Sequence, residues 1–181
     1  MAQFIAFDKN VEVNGQTVLS VVNAMEFGKE VRLQILSEVG IIPEPDKWFN
    51  QQKWLDAFKA ISERIGDKTL FLIGRAIPEN AKFPPEIDNL EKAFAAIDVA
   101  YHMNHRGGEI GHYNLVSFDK SKREAVILCN NPYPSEFDRG IISTMLRRFK
   151  PKDSINYEVN LDVTKESRKE GGESCTYLIN W

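Results

Sequence analysis

The stretch Ala125-Val126-Ile127-Leu128-Cys129-Asn130-Asn131-Pro132-Tyr133-Pro134-Ser135-Glu136-Phe137-Asp138-Arg139-Gly140-Ile141-Ile142 changes character twice. Ala125–Cys129 is a short apolar run of strand length. Asn130–Gly140 is polar and aromatic, and Pro132 and Pro134 stiffen it. From Phe137 the apolar period lengthens: Ile141, Ile142, Met145, Leu146 and Phe149 recur at helical steps. The spacing predicts a helix over Phe137–Phe149, stopped before Pro151.

Working outward, Tyr113–Phe118 alternates as a strand does, and Asp119–Arg123 is a polar hairpin turn between it and Ala125–Cys129. Downstream, Ile155, Tyr157, Val159, Leu161 and Val163 share one face of a predicted strand, and Thr176–Trp181 reads as the last one. Short links between neighbouring strands imply antiparallel pairing.

Upstream the chain is mostly helical. Phe4–Val13 is a strand or an extended arm, ended by Asn14-Gly15. Thr17 is a candidate N-cap for a helix carrying Val18, Leu19, Val21, Val22 and Met25. A second helix carries Val31, Leu33, Ile35, Leu36 and Val39 and stops at Gly40. Trp48–Ile65 is predicted as one amphipathic helix and Lys68–Ala76 as another. Asp88 would cap a helix through Leu90, Phe94, Ile97 and Ala100 towards Met103, broken at Gly107-Gly108. The expected fold is therefore α+β: N-terminal helices packed on a C-terminal antiparallel sheet of about four strands with an inserted helix. Residues 1–181 read as a single domain, with 1–67 its N-terminal helical part.

Composition narrows the function. The 181 residues suffice for one domain with a substantial core. The net charge of −3 gives no electrostatic reason to expect nucleic acid or an anionic membrane as partner. No apolar run approaches the ~20 residues of a membrane helix. The first ten residues lack the basic and apolar regions of a secretory signal. Two widely spaced cysteines, Cys129 and Cys175, do not suggest a disulfide framework. The expected compartment is the cytoplasm. No Gly-x-Gly-x-x-Gly fingerprint appears, so nothing points to a nucleotide-dependent reductase or another enzyme.

Two segments carry candidate chemistry. All three histidines, His102, His105 and His112, fall beside Arg106 and Glu109. Imidazole is the commonest metal ligand, and Glu109 could complete a set; equally, these are helix-end and loop residues. The Asn130–Gly140 connector places Tyr133, Phe137 and Arg139 at a strand-to-helix junction, where a pocket can open. Cys129 reads as a small core residue. Trp48 and Trp54 read as core, and Lys165–Glu170 as a solvated turn.

Several of these pieces occur in a familiar order. Leu70-Phe71-Leu72-Ile73-Gly74-Arg75 is followed by Ala125-Val126-Ile127-Leu128, then Gly140-Ile141-Ile142 leading to Arg147-Arg148-Phe149, then Gly171-Gly172-Glu173-Ser174-Cys175-Thr176-Tyr177-Leu178-Ile179. The pattern, over about residues 68–181, resembles the 4-vinyl-reductase-like domain. Glu173 is displaced from that family's acidic position, and Tyr177 stands for its Phe. The resemblance implies helices over an antiparallel sheet, a small-molecule sensor or carrier role, homodimerisation and a separate signalling protein as output. Zinc, which some relatives hold with clustered cysteines, does not carry over, because only Cys175 falls in the right region.

The haem–nitric-oxide-binding (H-NOX) domains are similar in architecture. That resemblance makes His102 a candidate haem ligand. It also matches Tyr133 and Ser135 to a Tyr-x-Ser-x-Arg motif, with Phe137 where Arg would hold a propionate. The combined expectation is a small-molecule-binding sensory or carrier domain, with Tyr101, His102, His105, Tyr133, Phe137 and Arg139 around its ligand. The alternatives are a haem-based gas sensor through His102 and a dimeric interaction scaffold.

Overall fold

The structure, a computed structural model, describes residues 3–23, 26 and 28–181. Met25, expected on the first helix, lies outside them. The chain begins with strand β1 (Glu12–Asn14), helix α1 (Gly15–Val22) and helix α2 (Lys29–Glu38). Strand β2 (Trp48–Asn50) leads into α3 (Gln51–Ile65), and α4 (Asp67–Asn80) follows across Gly66. After a loop come α5 (Leu90–Met103) and the two-residue strand β3 (His105–Arg106). The C-terminal part holds β4 (His112–Asp119), β5 (Glu124–Asn130), α6 (Ser135–Phe149), β6 (Glu158–Leu161) and β7 (Cys175–Asn180).

The main sheet has the order β4-β5-β7-β6, and every pair is antiparallel. The α+β class, the four strands and the inserted helix are as the sequence led one to expect. Alternation fixes the core face: Ala125, Ile127 and Cys129 of β5 are buried, as are Cys175, Tyr177 and Ile179 of β7. Helices α5 and α6 pack on this face, and α4 crosses α6.

The α4–α6 crossing explains two of the sequence motifs. A side chain on Gly74 would run into the Phe137 carbonyl, and one on Gly140 into that of Phe71. The two glycines therefore bring the helix backbones into contact. Gly140 lies inside α6, which starts at Ser135, two residues before the predicted start at Phe137.

Several expectations need correction. Asn14, not Thr17, caps α1, its side chain accepting from the Gln16 amide. Asn89, not Asp88, caps α5, accepting from Lys92. Trp48–Asn50 is a strand, so α3 starts only at Gln51. Strand β6 is shorter than its alternation suggested, and Ile155 and Val163 are 86% and 87% exposed. It is an edge strand paired with β7 alone; the ladder begins at Glu158 opposite Asn180, where β7 ends, and closes at Leu161 opposite Tyr177.

A second, small sheet had no clear sequence signal. Central β1 pairs antiparallel with β2 and with β3, setting Val13 opposite His105 and Glu12 opposite Arg106. Arg106 lies over the Trp48 ring at 4.2 Å and pairs with Glu12 at 2.7 Å. This sheet ties the chain start to the segment after α5 and sets where His105 points.

Candidate functional site

A cavity of about 120 Å³ opens between α1, the end of α4 and α5, with exposed Ala81 and Ala100 at its mouth. Its floor holds Trp54, Tyr101, His105, Tyr133, Phe137 and Met145. Four of the six residues expected around a ligand thus come together: Tyr101, His105, Tyr133 and Phe137 line this space.

The other two do not. Arg139 pairs with Glu136 at 2.6 Å and lies over the Phe71 ring at 4.4 Å, away from the cavity. Two residues on from Phe137, a helical side chain points to a different side. His102 is exposed on the outer face of α5, next in sequence to inward-facing Tyr101. Its Nδ1 lies 2.9 Å from the Asp98 carbonyl. Glu109, considered as a partner for the histidines, instead accepts from the Gly111 amide at 2.7 Å.

The polar end of the cavity is a hydrogen-bonded pair. His105 Nδ1 is 2.8 Å from the Tyr101 carbonyl, which can only accept, so this nitrogen carries the proton. Nε2 is then an acceptor, and the Tyr133 hydroxyl donates to it at 2.7 Å. Burial lowers the His105 pKa to about 4, helped by the nearby His102, so the imidazole is neutral at pH 7. Burial likewise pushes the Tyr133 phenol up, so it keeps its proton.

Gln51 is fully buried at the start of α3, near the Tyr101 and Tyr133 hydroxyls. Neither its amide nitrogen nor its oxygen makes a well-formed hydrogen bond. Gln51 carried no signal in the sequence, because its burial depends on the unforeseen β1–β2 pairing.

Aromatic rings make the remaining walls. Phe58 stands edge-on to Phe137 at 5.0 Å, to Tyr133 at 5.6 Å and to Trp54 at 4.8 Å. Behind them lies a buried ion pair, Arg168 with Asp138, both side chains fully enclosed. Tyr113 donates to Asp138 at 2.6 Å, and Arg168 also donates to the Tyr133 and Cys129 carbonyls. Burial pushes the Asp138 carboxyl up from its ordinary value, while Arg168 and Tyr113 pull it down. This network locks the connector that carries Tyr133. Cys129 and Cys175 face each other across β5 and β7 as buried free thiols.

No family model and no curated protein sequence matches the chain. Solved structures do. An H-NOX protein from S. oneidensis, a variant in the Fe(II) ligation state, aligns with TM-score 0.69 at 10% identity, over 92% of this chain and 95% of its own. A Cs H-NOX variant with an unnatural amino acid gives 0.65 at 15%, over 92% and 95%. An oxygen-binding H-NOX domain related to soluble guanylate cyclases gives 0.61 at 17%, over 92% and 94%. The chain therefore has an α+β fold of the H-NOX kind. No such support exists for the narrower 4-vinyl-reductase-like resemblance.

Haem figures in the descriptions of two further matches. The residues here, as arranged, do not fit it. The cavity is near the ~150 Å³ that holds a benzene, well under the ~300–1,000 Å³ of pockets for larger molecules. Among the described residues no Arg or Lys lines it to receive a propionate. His102 lies outside, and Phe137 packs against Phe58 and Tyr133. No helix among the described residues is long and apolar enough to cross a membrane.

Proposed function

We propose that this chain is a small-molecule-binding sensory or carrier domain, with its ligand in the cavity beside His105 and Tyr133. The observation that carries this is a mostly apolar cavity with the hydrogen-bonded His105–Tyr133 pair at its polar end. The ligand class is a body about the size of one aromatic ring, bearing one group that hydrogen-bonds. Homodimerisation, a separate signalling protein as output and the 4-vinyl-reductase-like affiliation belong to the same proposal.

Native mass spectrometry of freshly purified chain, set against the denatured mass, is the first test, and reports dimerisation too. Phenol and benzene titrations followed by amide NMR are the second. The expected result is a saturable response at Tyr101, His105 and Tyr133, stronger for phenol, and abolished by Ala96→Trp, which would fill the cavity from its wall. No retained mass and no saturable response to either probe would overturn the proposal.

A second reading, a haem-based gas sensor, is favoured by one observation: the likeness to H-NOX structures over more than nine-tenths of the chain. It requires the aromatic floor to open. Reconstitution with hemin decides it. A Soret band supports this reading, and its loss in His105→Ala but not His102→Ala would name the cavity histidine as ligand. The absence of a band removes it.

A further inference from the structure

Outside the cavity, on the other side of α5, three metal-ligating side chains converge. Asp98 and His102 are four residues apart and so share the exposed face of the helix. His112 opens β4, which packs beside α5. One ligand atom from each of the three lies within 4.8 Å of the others. His102 Nδ1 is 3.5 Å from Asp98 Oδ2, and His112 Nδ1 is 3.5 Å from Asp98 Oδ1. The two imidazole rings lie 4.9 Å apart at 33°.

From these distances we propose that Asp98, His102 and His112 form a binding site for a divalent transition-metal ion of the zinc or cobalt type. With bonds of about 2.0–2.2 Å, neighbouring ligands of a tetrahedral ion sit about 3.4 Å apart, and each imidazole lies at about that distance from one of the two Asp98 oxygens, His102 from Oδ2 and His112 from Oδ1. Two imidazoles and one carboxylate select ions that accept nitrogen ligands over calcium or magnesium. The carboxylate is oriented before any ion arrives, whereas His102 Nδ1 sits 2.9 Å from the Asp98 carbonyl and must give up that contact, or turn its ring, to offer a bare nitrogen. The Tyr113 amide donates to Asp98 Oδ1 at 2.8 Å, which fixes the carboxylate as outer partners do in metal sites. All three side chains are partly exposed, so an ion can enter from solvent and keep water at its remaining position.

The site is separate from the cavity, but α5 joins them. Ile97 and Tyr101 line the cavity from the helix that carries Asp98 and His102, and Tyr113 follows His112 on β4. A bound ion would clamp α5 to β4 and so stiffen one cavity wall.

Cobalt titration of the purified full chain, read by visible absorption, tests this, with zinc calorimetry for stoichiometry. The expected result is one ion per chain with tetrahedral-type cobalt bands, and at least about tenfold weaker binding in each of Asp98→Asn and His112→Asn. Glu109→Gln, nearby but outside the set, should bind as the parent does. The substituted positions are partly exposed, and far-UV circular dichroism checks that each variant folds. No saturable binding, or binding that both ligand variants retain, overturns the assignment. So does an equal loss in Glu109→Gln, which would put the ion elsewhere.

Discussion

His102 and His105 are three residues apart and occupy opposite environments. His102 ends the exposed face of α5, beside a carboxylate and a second imidazole. His105 comes after the helix has stopped, and β3 turns it inward against Tyr101 and Tyr133. The outer imidazole is partly exposed with only its Nδ1 engaged, by the Asp98 carbonyl, whereas the inner one is held neutral with both nitrogens engaged. The lesson is that a histidine's chemistry is set by the element it sits on and by what that element pairs with. Spacing along a presumed continuous helix groups the wrong residues.

The most severe way to break this contrast is to unseat the inner side. Arg168→Met leaves Asp138 enclosed without its cation, and should cost about 3–5 kcal/mol of stability, measured by urea unfolding. A variant that unfolds like the parent would mean Asp138 is neutral in the native state.

A titration sharpens the contrast further. The folded pKa of His105 is lowered to about 4, while an unfolded histidine titrates near 6.5. Between these values the unfolded chain binds a proton that the native chain does not. Stability from His105 is therefore fully present above about pH 6.5 and is lost as pH falls towards 4. The loss amounts to about 3 kcal/mol. Urea midpoints at pH 7 and pH 4.5 check it, and His105→Gln should flatten the difference.

The smallest expected effect is on the outer side. His102→Ala without added metal should change stability by less than about 0.5 kcal/mol, as exposed positions usually do. A cost as large as that of His105→Gln would mean that the two histidines are not so differently placed.

The main sheet, α6 and the helix-rich first half were legible because their apolar periods persist over enough residues to separate 2 from 3.6. The helix caps were misread by a few residues, since Asn14 and Thr17, or Asp88 and Asn89, are chemically equivalent until the backbone is known. The small sheet was not legible: its strands are two or three residues long and pair across as many as ninety-four positions, Glu12 to Arg106. That omission propagated to the site. Without β1–β3 pairing, His105 could not be told from His102 as the inward residue, and Gln51 could not be seen to be buried. Asp98 did carry a signal, its four-residue spacing from His102, which the more conspicuous Glu109 obscured.

The glycine crossing of α4 and α6 has a mechanical consequence. Backbones that touch at Gly74 and Gly140 leave no side-chain layer to slide or re-pack, so these helices must move as one strut. Ile77 and Pro78 on one arm of that strut, and Ile141 and Met145 on the other, form an unyielding side of the cavity. Any breathing that admits a guest must then come from the other walls: α1, the loop that follows α4, or α5, the helix whose outer face carries the histidine–aspartate cluster.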